Sequence, residues 1–142
     1  MKLNDITPAY AAMPQISAED MAALKDAGVS LIICNRPDEE VPPDLSAAAV
    51  RAAAEAAGIA FADNPVGNSE LSLDHALRQG ELVAGADGRV LAYCRSGTRS
   101  SILWALSQAG AMPTDEILAA CAAAGFPLEQ LRPTLETLSE QA

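Results

Sequence analysis

Aromatic residues make up only 4% of this 142-residue chain, so its core cannot rest on large rings. Alanine is abundant instead, which points to helices packed closely through small side chains. There is one histidine, His75, and three widely spaced cysteines, Cys34, Cys94 and Cys121, with no CxxC pair. An odd, scattered trio excludes a disulfide framework, and the same spacing excludes a zinc site. Neither a metal nor a cofactor is expected. Basic residues are also scarce: nine against nineteen acidic ones leave a formal net charge of −10. A surface that negative repels phosphate backbones and anionic lipid heads, so nucleic-acid and membrane-surface binding are excluded as main roles. Any site for a small anion must be built locally, against the overall field. No apolar run approaches the length of a membrane helix, and residues 1–16 hold no signal-like apolar segment. With the cysteine usage, this sets the expectation of a reducing, cytoplasmic location.

Half of the residues are hydrophobic, enough for one substantial core, and residues 1–142 read as a single domain. Tyr10 to Met13 reads as an edge strand ended by Pro14. Ser17 and Asp20 form a capping-box pattern, and the helix they open runs to about Ala27, closed by Gly28. Val29 to Cys34 is a continuous apolar run of strand length, suited to burial on both faces. A helix over 47–57 is capped by Ser46, and a strand over 59–62 follows. Ser72 caps a weaker helix that Gly80 is expected to interrupt. Arg89 to Cys94 is a strand, and helices over about 100–109, 115–124 and 128–139 complete the chain. Strands alternating with helices predict an α/β fold with a mostly parallel sheet covered on both faces. Ligands in such sheets bind where strand C-termini meet helix N-termini, which nominates the loops after Cys34, Ala62 and Tyr93.

The third loop reads Tyr93-Cys94-Arg95-Ser96-Gly97-Thr98-Arg99-Ser100. A cysteine between a buried strand and a helix N-terminus sits in positive potential, which favours a thiolate. Gly97 permits a positive φ, so that successive N–H groups from Arg95 to Ser100, Ser96 and Thr98 among them, can point inward as a nest. Arg99 closes the ring and can fork two hydrogen bonds onto an anion. Ser100 can donate to the thiolate or cap the helix. These features suit an anion-cradled nucleophilic sulfur, against the alternative of a structural cysteine in a tight turn.

Cys-Arg-Ser-Gly-Thr-Arg-Ser resembles the active-site loop of single-domain rhodaneses, which carry a cysteine persulfide. The phosphatase loop is similar but holds five residues between cysteine and arginine, where this one holds four. Through Pro14-Gln15-Ile16-Ser17, Ile33-Cys34-Asn35-Arg36-Pro37-Asp38 and Ala92 to Ser100, the chain resembles a bacterial family of phosphatase-like or sulfurtransferase-like domains. These occur alone or at the N-terminus of beta-lactamase-hydrolase-like proteins. The resemblance implies a dual-specificity-phosphatase-like fold, with four or five central strands and helices on both sides.

The shorter loop suggests a smaller cradle, fitted to the terminal sulfur of a persulfide rather than to a phosphoryl group. Tyr93 stands where phosphatases place a histidine, and no Trp-Pro-Asp segment is present. The leading expectation is therefore a sulfurtransferase. Cys94 and Arg99 carry the chemistry, moving sulfur from a small anionic donor such as thiosulfate to a thiol or protein acceptor. The alternatives are a cysteine-based phosphatase acting on a phosphate ester through a phosphocysteine, and a non-catalytic module that binds anions or senses sulfide. Arg95 would attract anionic donors, and Arg36, after the strand ending at Cys34, either binds the anion or forms a surface ion pair. Asp63 is the acid considered for a leaving group, against a solvated turn carboxylate. His75, Cys34, Cys121 and Trp104 read as an exposed helix residue and three core residues, with a resolving role for Cys34 left open.

Overall fold

The computed structural model describes residues 2–141. Five strands form one sheet in the order β1-β2-β5-β3-β4: β1 (Asp5–Thr7), β2 (Tyr10–Met13), β3 (Val29–Cys34), β4 (Ala60–Asp63) and β5 (Arg89–Tyr93). Only β1 runs antiparallel to its neighbour; the other pairings are parallel. The apolar runs of β3 and β5 lie side by side at the centre, where both faces of a strand are covered. β2 is the second strand rather than the expected edge. The short β1 covers it, and all four of its residues are buried.

The helices are α1 (Met21–Asp26), α2 (Ala47–Ala56), α3 (Leu73–Ala84), α4 (Thr98–Ser107), α5 (Thr114–Ala123) and α6 (Arg132–Gln141). Side chains alternate across the strands, and two cores result. Ile32, Cys34, Phe61, Leu91 and Tyr93 pack with Met21 and Leu24 of α1 and Val50 and Ala54 of α2. Ala12, Ile33, Val90 and Ala92 pack with Leu103, Trp104, Ile117 and Leu135 of α4, α5 and α6 on the other face. The Trp104 ring stacks on Tyr10, with centroids 6.1 Å apart. Among the described residues no helix is long and apolar enough to cross a membrane.

Two local expectations change. Ser17 and Asp20 do open a helical segment, the Ser17 N–H donating to Asp20 Oδ2 at 2.9 Å, but its first turn is a 3-10 turn (Ala18–Asp20) before α1. α3 continues through Gly80 without a break, because the missing side chain admits a neighbour: a Cβ there would lie 3.1 Å from Ser107 Cβ of α4. The glycine serves close helix packing, which here outweighs its weak helix propensity.

The parallel register aligns Met13, Tyr93, Cys34 and Asp63 in one row at the C-terminal edge of the sheet. The loops after β3, β4 and β5 leave from this row. The candidate site stands there.

Candidate active site

Cys94 follows β5 and prolongs its pairing with β2 by one bond, its N–H donating to Met13 O at 3.2 Å. It is fully buried, and its Sγ accepts a hydrogen bond from Gly97 N at 3.1 Å. Gly97 holds φ at +94° just before α4, a conformation that side-chain-bearing residues avoid. Space demands glycine as well: a Cβ at 97 would lie 2.9 Å from Phe126 Cζ and 3.3 Å from the Met13 carbonyl carbon. The Ser96 hydroxyl donates to Thr98 Oγ1 at 3.1 Å and accepts from Thr98 N at 3.4 Å, which shapes the exposed lip of the loop. Arg95 is exposed beside it.

Arg99 is half-buried and reaches across to the other two loops. Its Nη1 donates to Glu40 Oε2 at 2.8 Å and to the Val66 carbonyl at 2.6 Å, and its Nη2 donates to Glu40 Oε1 at 2.7 Å. A guanidinium has five N–H groups, so three are committed to the protein. Two remain, on Nε and Nη2, and they belong to one edge of the group. Glu40 and Val66 therefore turn a single edge of Arg99 toward any bound oxyanion. Hydrogen bonds to the Glu40 carboxylate strengthen the hold of Arg99 on its proton, and the Cys94 sulfur adds to that attraction.

Arg36 joins the same carboxylate. Its Nε donates to Glu40 Oε1 at 3.3 Å, its Nη2 to the Glu40 carbonyl at 3.0 Å, and its Nη1 to Gln15 Oε1 at 3.2 Å. The ion-pair alternative for Arg36 is thus the observed one, but at the site rather than on an outlying surface. Glu40, in the 3-10 turn Asp38–Glu40, was not anticipated. Its only sequence signal is the four-residue spacing from Arg36. Hydrogen bonds from Arg99 hold its carboxyl below the usual carboxylate range.

That shift carries a sign. A carboxyl whose folded value is depressed contributes stability above the ordinary carboxylate range and loses it as pH falls through the folded value. Glu40→Gln is expected to lose about 1 to 2 kcal/mol of stability at neutral pH, the scale of a partly exposed charged hydrogen bond. The gap from the native protein should close in acid. Thermal melts of both proteins across pH check this; a gap that persists in acid would contradict the assignment.

Ser100, Asp63 and His75 come out differently from expectation, while Cys34 lies in the core as expected. Ser100 is buried, and its hydroxyl donates to Asn35 Oδ1 at 2.8 Å rather than to the Cys94 sulfur or the helix end. Asp63 is not brought to Cys94, because β3 lies between β4 and β5. Two strand spacings amount to about 10 Å. Its Oδ1 is buried without a hydrogen-bond partner, and burial together with Asp38 raises its carboxyl above the usual range. Cys34 packs with Tyr93 in the core under α1 and α2, its thiol donating to Arg36 O at 3.3 Å. Burial pushes that thiol up to about 11, which favours its protonated form. His75 is half-buried and caps α3 through Ser72, with Oγ and Nδ1 2.8 Å apart. Among the described residues no group of three or more His, Cys, Asp or Glu is gathered to hold a metal ion.

The family described as "Beta-lactamase hydrolase-like protein, phosphatase-like domain" matches residues 2–111. The beta-lactamase hydrolase-like protein of Xylella fastidiosa (strain Temecula1) is 37% identical over 131 residues, which cover 90% of this chain. The chain spans only 30% of that relative's length. A candidate phosphatase from Neisseria meningitidis z2491 is 33% identical with a TM-score of 0.83, over 96% of this chain and 99% of that one. PTPMT1 shares the fold at 16% identity, with a TM-score of 0.72 over 99% of this chain and 95% of its own.

Proposed function

The chain belongs to the phosphatase-like domain family of the beta-lactamase hydrolase-like proteins, and from that premise we propose that it is a cysteine-dependent phosphate-monoester hydrolase. The observation that carries this is the single edge of Arg99 left free beside Cys94, with Glu40 and Val66 holding the rest of the guanidinium. An edge with two parallel donors matches two oxygens of a tetrahedral oxyanion. One fold relative, Pseudomonas aeruginosa TpbA carrying a cysteine-to-serine substitution, was crystallised with phosphotyrosine, which supports an aryl phosphate as the substrate class.

In the first step the Cys94 thiolate attacks phosphorus, the bond to the ester oxygen breaks, and the leaving group departs with its electron pair and takes a proton from solvent. Water then attacks the phosphocysteine, the S–P bond breaks, and phosphate and thiolate are released. The charge gathered on the equatorial oxygens is met by Arg99 and the loop N–H groups. Glu40 is ion-paired and held ionised, and Asp63 stands beyond β3, so neither supplies the leaving-group proton. Aryl phosphates need that help least, because a phenolate leaves more easily than an alkoxide.

One feature favours a second reading. Four residues, not five, separate Cys94 from Arg99, a cradle suited to a persulfide sulfur. Sulfur transfer would run from thiosulfate to Cys94, releasing sulfite, and on to an acceptor thiol. One assay decides between them. The purified protein is incubated with an aryl phosphate or with thiosulfate and cyanide, and acid-quenched samples are weighed by mass spectrometry. Phosphate release with a phosphoryl group on the Cys94 peptide is expected. One added sulfur on that peptide with thiocyanate formed, and no phosphate released, would replace the first reading with the second.

A further inference from the structure

Resting on the reading of Cys94 to Ser100 as an oxyanion cradle, we propose that Gln79 is the positioning residue of this site. It fixes Arg99 from both sides and keeps the Ser100 hydroxyl away from the Cys94 sulfur. Gln79 belongs to α3, at the heart of the face that also carries Ala76, yet it is a fully buried amide where an apolar side chain would pack. Burying an amide is unfavourable unless each of its polar groups is matched.

Here each one is. Gln79 Oε1 accepts from Asn35 Nδ2 at 2.9 Å and from Asn64 Nδ2 at 2.8 Å. Its Nε2 donates to Asn35 Oδ1 and to Tyr10 Oη, both at 3.0 Å. These four bonds exhaust what an amide can make. Two routes run from them to Arg99. On one side, Asn35 Oδ1 accepts the Ser100 hydroxyl at 2.8 Å, and Tyr10 Oη donates to the Ser100 carbonyl at 2.8 Å. Ser100 is the residue after Arg99, and its hydroxyl and its carbonyl are both tied to partners of Gln79. On the other side, Asn64 opens the loop containing Val66. The Val66 N–H donates to Asn35 O at 2.9 Å, and its carbonyl accepts from Arg99 Nη1 at 2.6 Å.

The loops after β3, β4 and β5 are thereby locked to one helix side chain. The chemistry needs this, because Arg99 offers only one edge and a small rotation would misdirect it. A hydroxyl on the sulfur would add a donor to the thiolate; with that hydroxyl committed to Asn35, the sulfur keeps the Gly97 N–H. The other groups facing Gln79 carry no charge that would confuse a test by titration. Asn35, Asn64 and Ser100 do not titrate. Tyr10 is kept neutral by burial, and the His75 ring is engaged with Ser72 while only its carbonyl meets Asn64.

Gln79→Glu, Gln79→Leu and Ser100→Ala test the inference through tungstate affinity by calorimetry and the ultraviolet thiolate absorbance of Cys94, taken as the difference from a Cys94→Ser protein. Gln79→Leu is expected to weaken tungstate about tenfold, the value of one well-made charged hydrogen bond. Gln79→Glu, which can donate only while its carboxyl keeps a proton, should bind close to native strength in acid and lose affinity as pH rises. That comparison is made on one folded protein well below its melting temperature, so it stands even if Gln79→Leu fails to fold. Ser100→Ala should leave the pH dependence of the Cys94 thiolate absorbance where the native protein has it. Native-like tungstate binding by folded Gln79→Glu at every pH would overturn the positioning role. A displaced thiolate titration in Ser100→Ala would overturn the claim about the hydroxyl. A native protein that binds no tungstate would refute the cradle itself and this inference with it, a result distinct from native binding that the variants preserve.

Discussion

A Cys94→Ser protein is expected to lose turnover of an aryl phosphate by on the order of 10⁴-fold or more, while binding tungstate or sulfate at least as tightly as the native chain. The loss follows from the chemistry: a serine hydroxyl in this loop has no base to take its proton, and the covalent step disappears. The retained binding follows from charge. The proposed reaction requires Cys94 as a thiolate, a negative group next to where the oxyanion must lie, so a neutral hydroxyl removes a repulsion. At an effective dielectric constant between that of water and that of a protein surface, such a repulsion is worth about 1 to 4 kcal/mol. Tungstate should therefore bind roughly tenfold tighter. Calorimetry with both proteins, alongside phosphate release, checks the two halves separately. A variant with weakened anion binding would mean that Cys94 holds the loop together rather than reacting within it.

The fold was legible where patterning is strong and local. The apolar runs of β3 and β5 and the glycine-closed helix α2 fall within one residue of their expected places, and the helix closed by Gly28 differs in its first, 3-10 turn. The cysteine loop was legible because Cys94, Gly97 and Arg99 sit at a strand-to-helix junction, where fixed spacing and backbone geometry leave few arrangements. What surrounds that loop was not legible. Glu40 is 59 residues from the arginine it grips, and Gln79 is 69 from Tyr10, so only folding brings each pair together. Asp63 was misplaced for a related reason. Its loop does end on the correct edge of the sheet, but strand order decides how far it stands from Cys94, and strand order is not written in local pattern. Ser100 shows the same limit within a helix turn: proximity in sequence allowed a bond to the sulfur, and a partner from another loop, Asn35, took the hydroxyl.

Arg99→Lys is expected to lower aryl-phosphate turnover by about two powers of ten or more, the scale of losing one preorganised donor in the transition state. The donor count makes the argument. Arg99 spends three N–H groups on Glu40 and Val66, which leaves two on one edge. An ammonium has three donors in all, radiating from one nitrogen. Glu40 and the Val66 carbonyl would draw that nitrogen away from Cys94, and no fork would remain for two equatorial oxygens. The effect should fall on kcat more than on KM, because those oxygens gather charge as the ester bond breaks. Sulfur transfer predicts another pattern: there the group mainly supplies positive charge near a thiolate and a departing sulfite, lysine keeps that charge, and the modest loss appears in donor affinity. Steady-state kinetics of Arg99→Lys with an aryl phosphate and with thiosulfate separates the two. A kcat for the aryl phosphate within a few-fold of native would show that no fork of hydrogen bonds operates in the transition state, and the phosphatase assignment would fall with it.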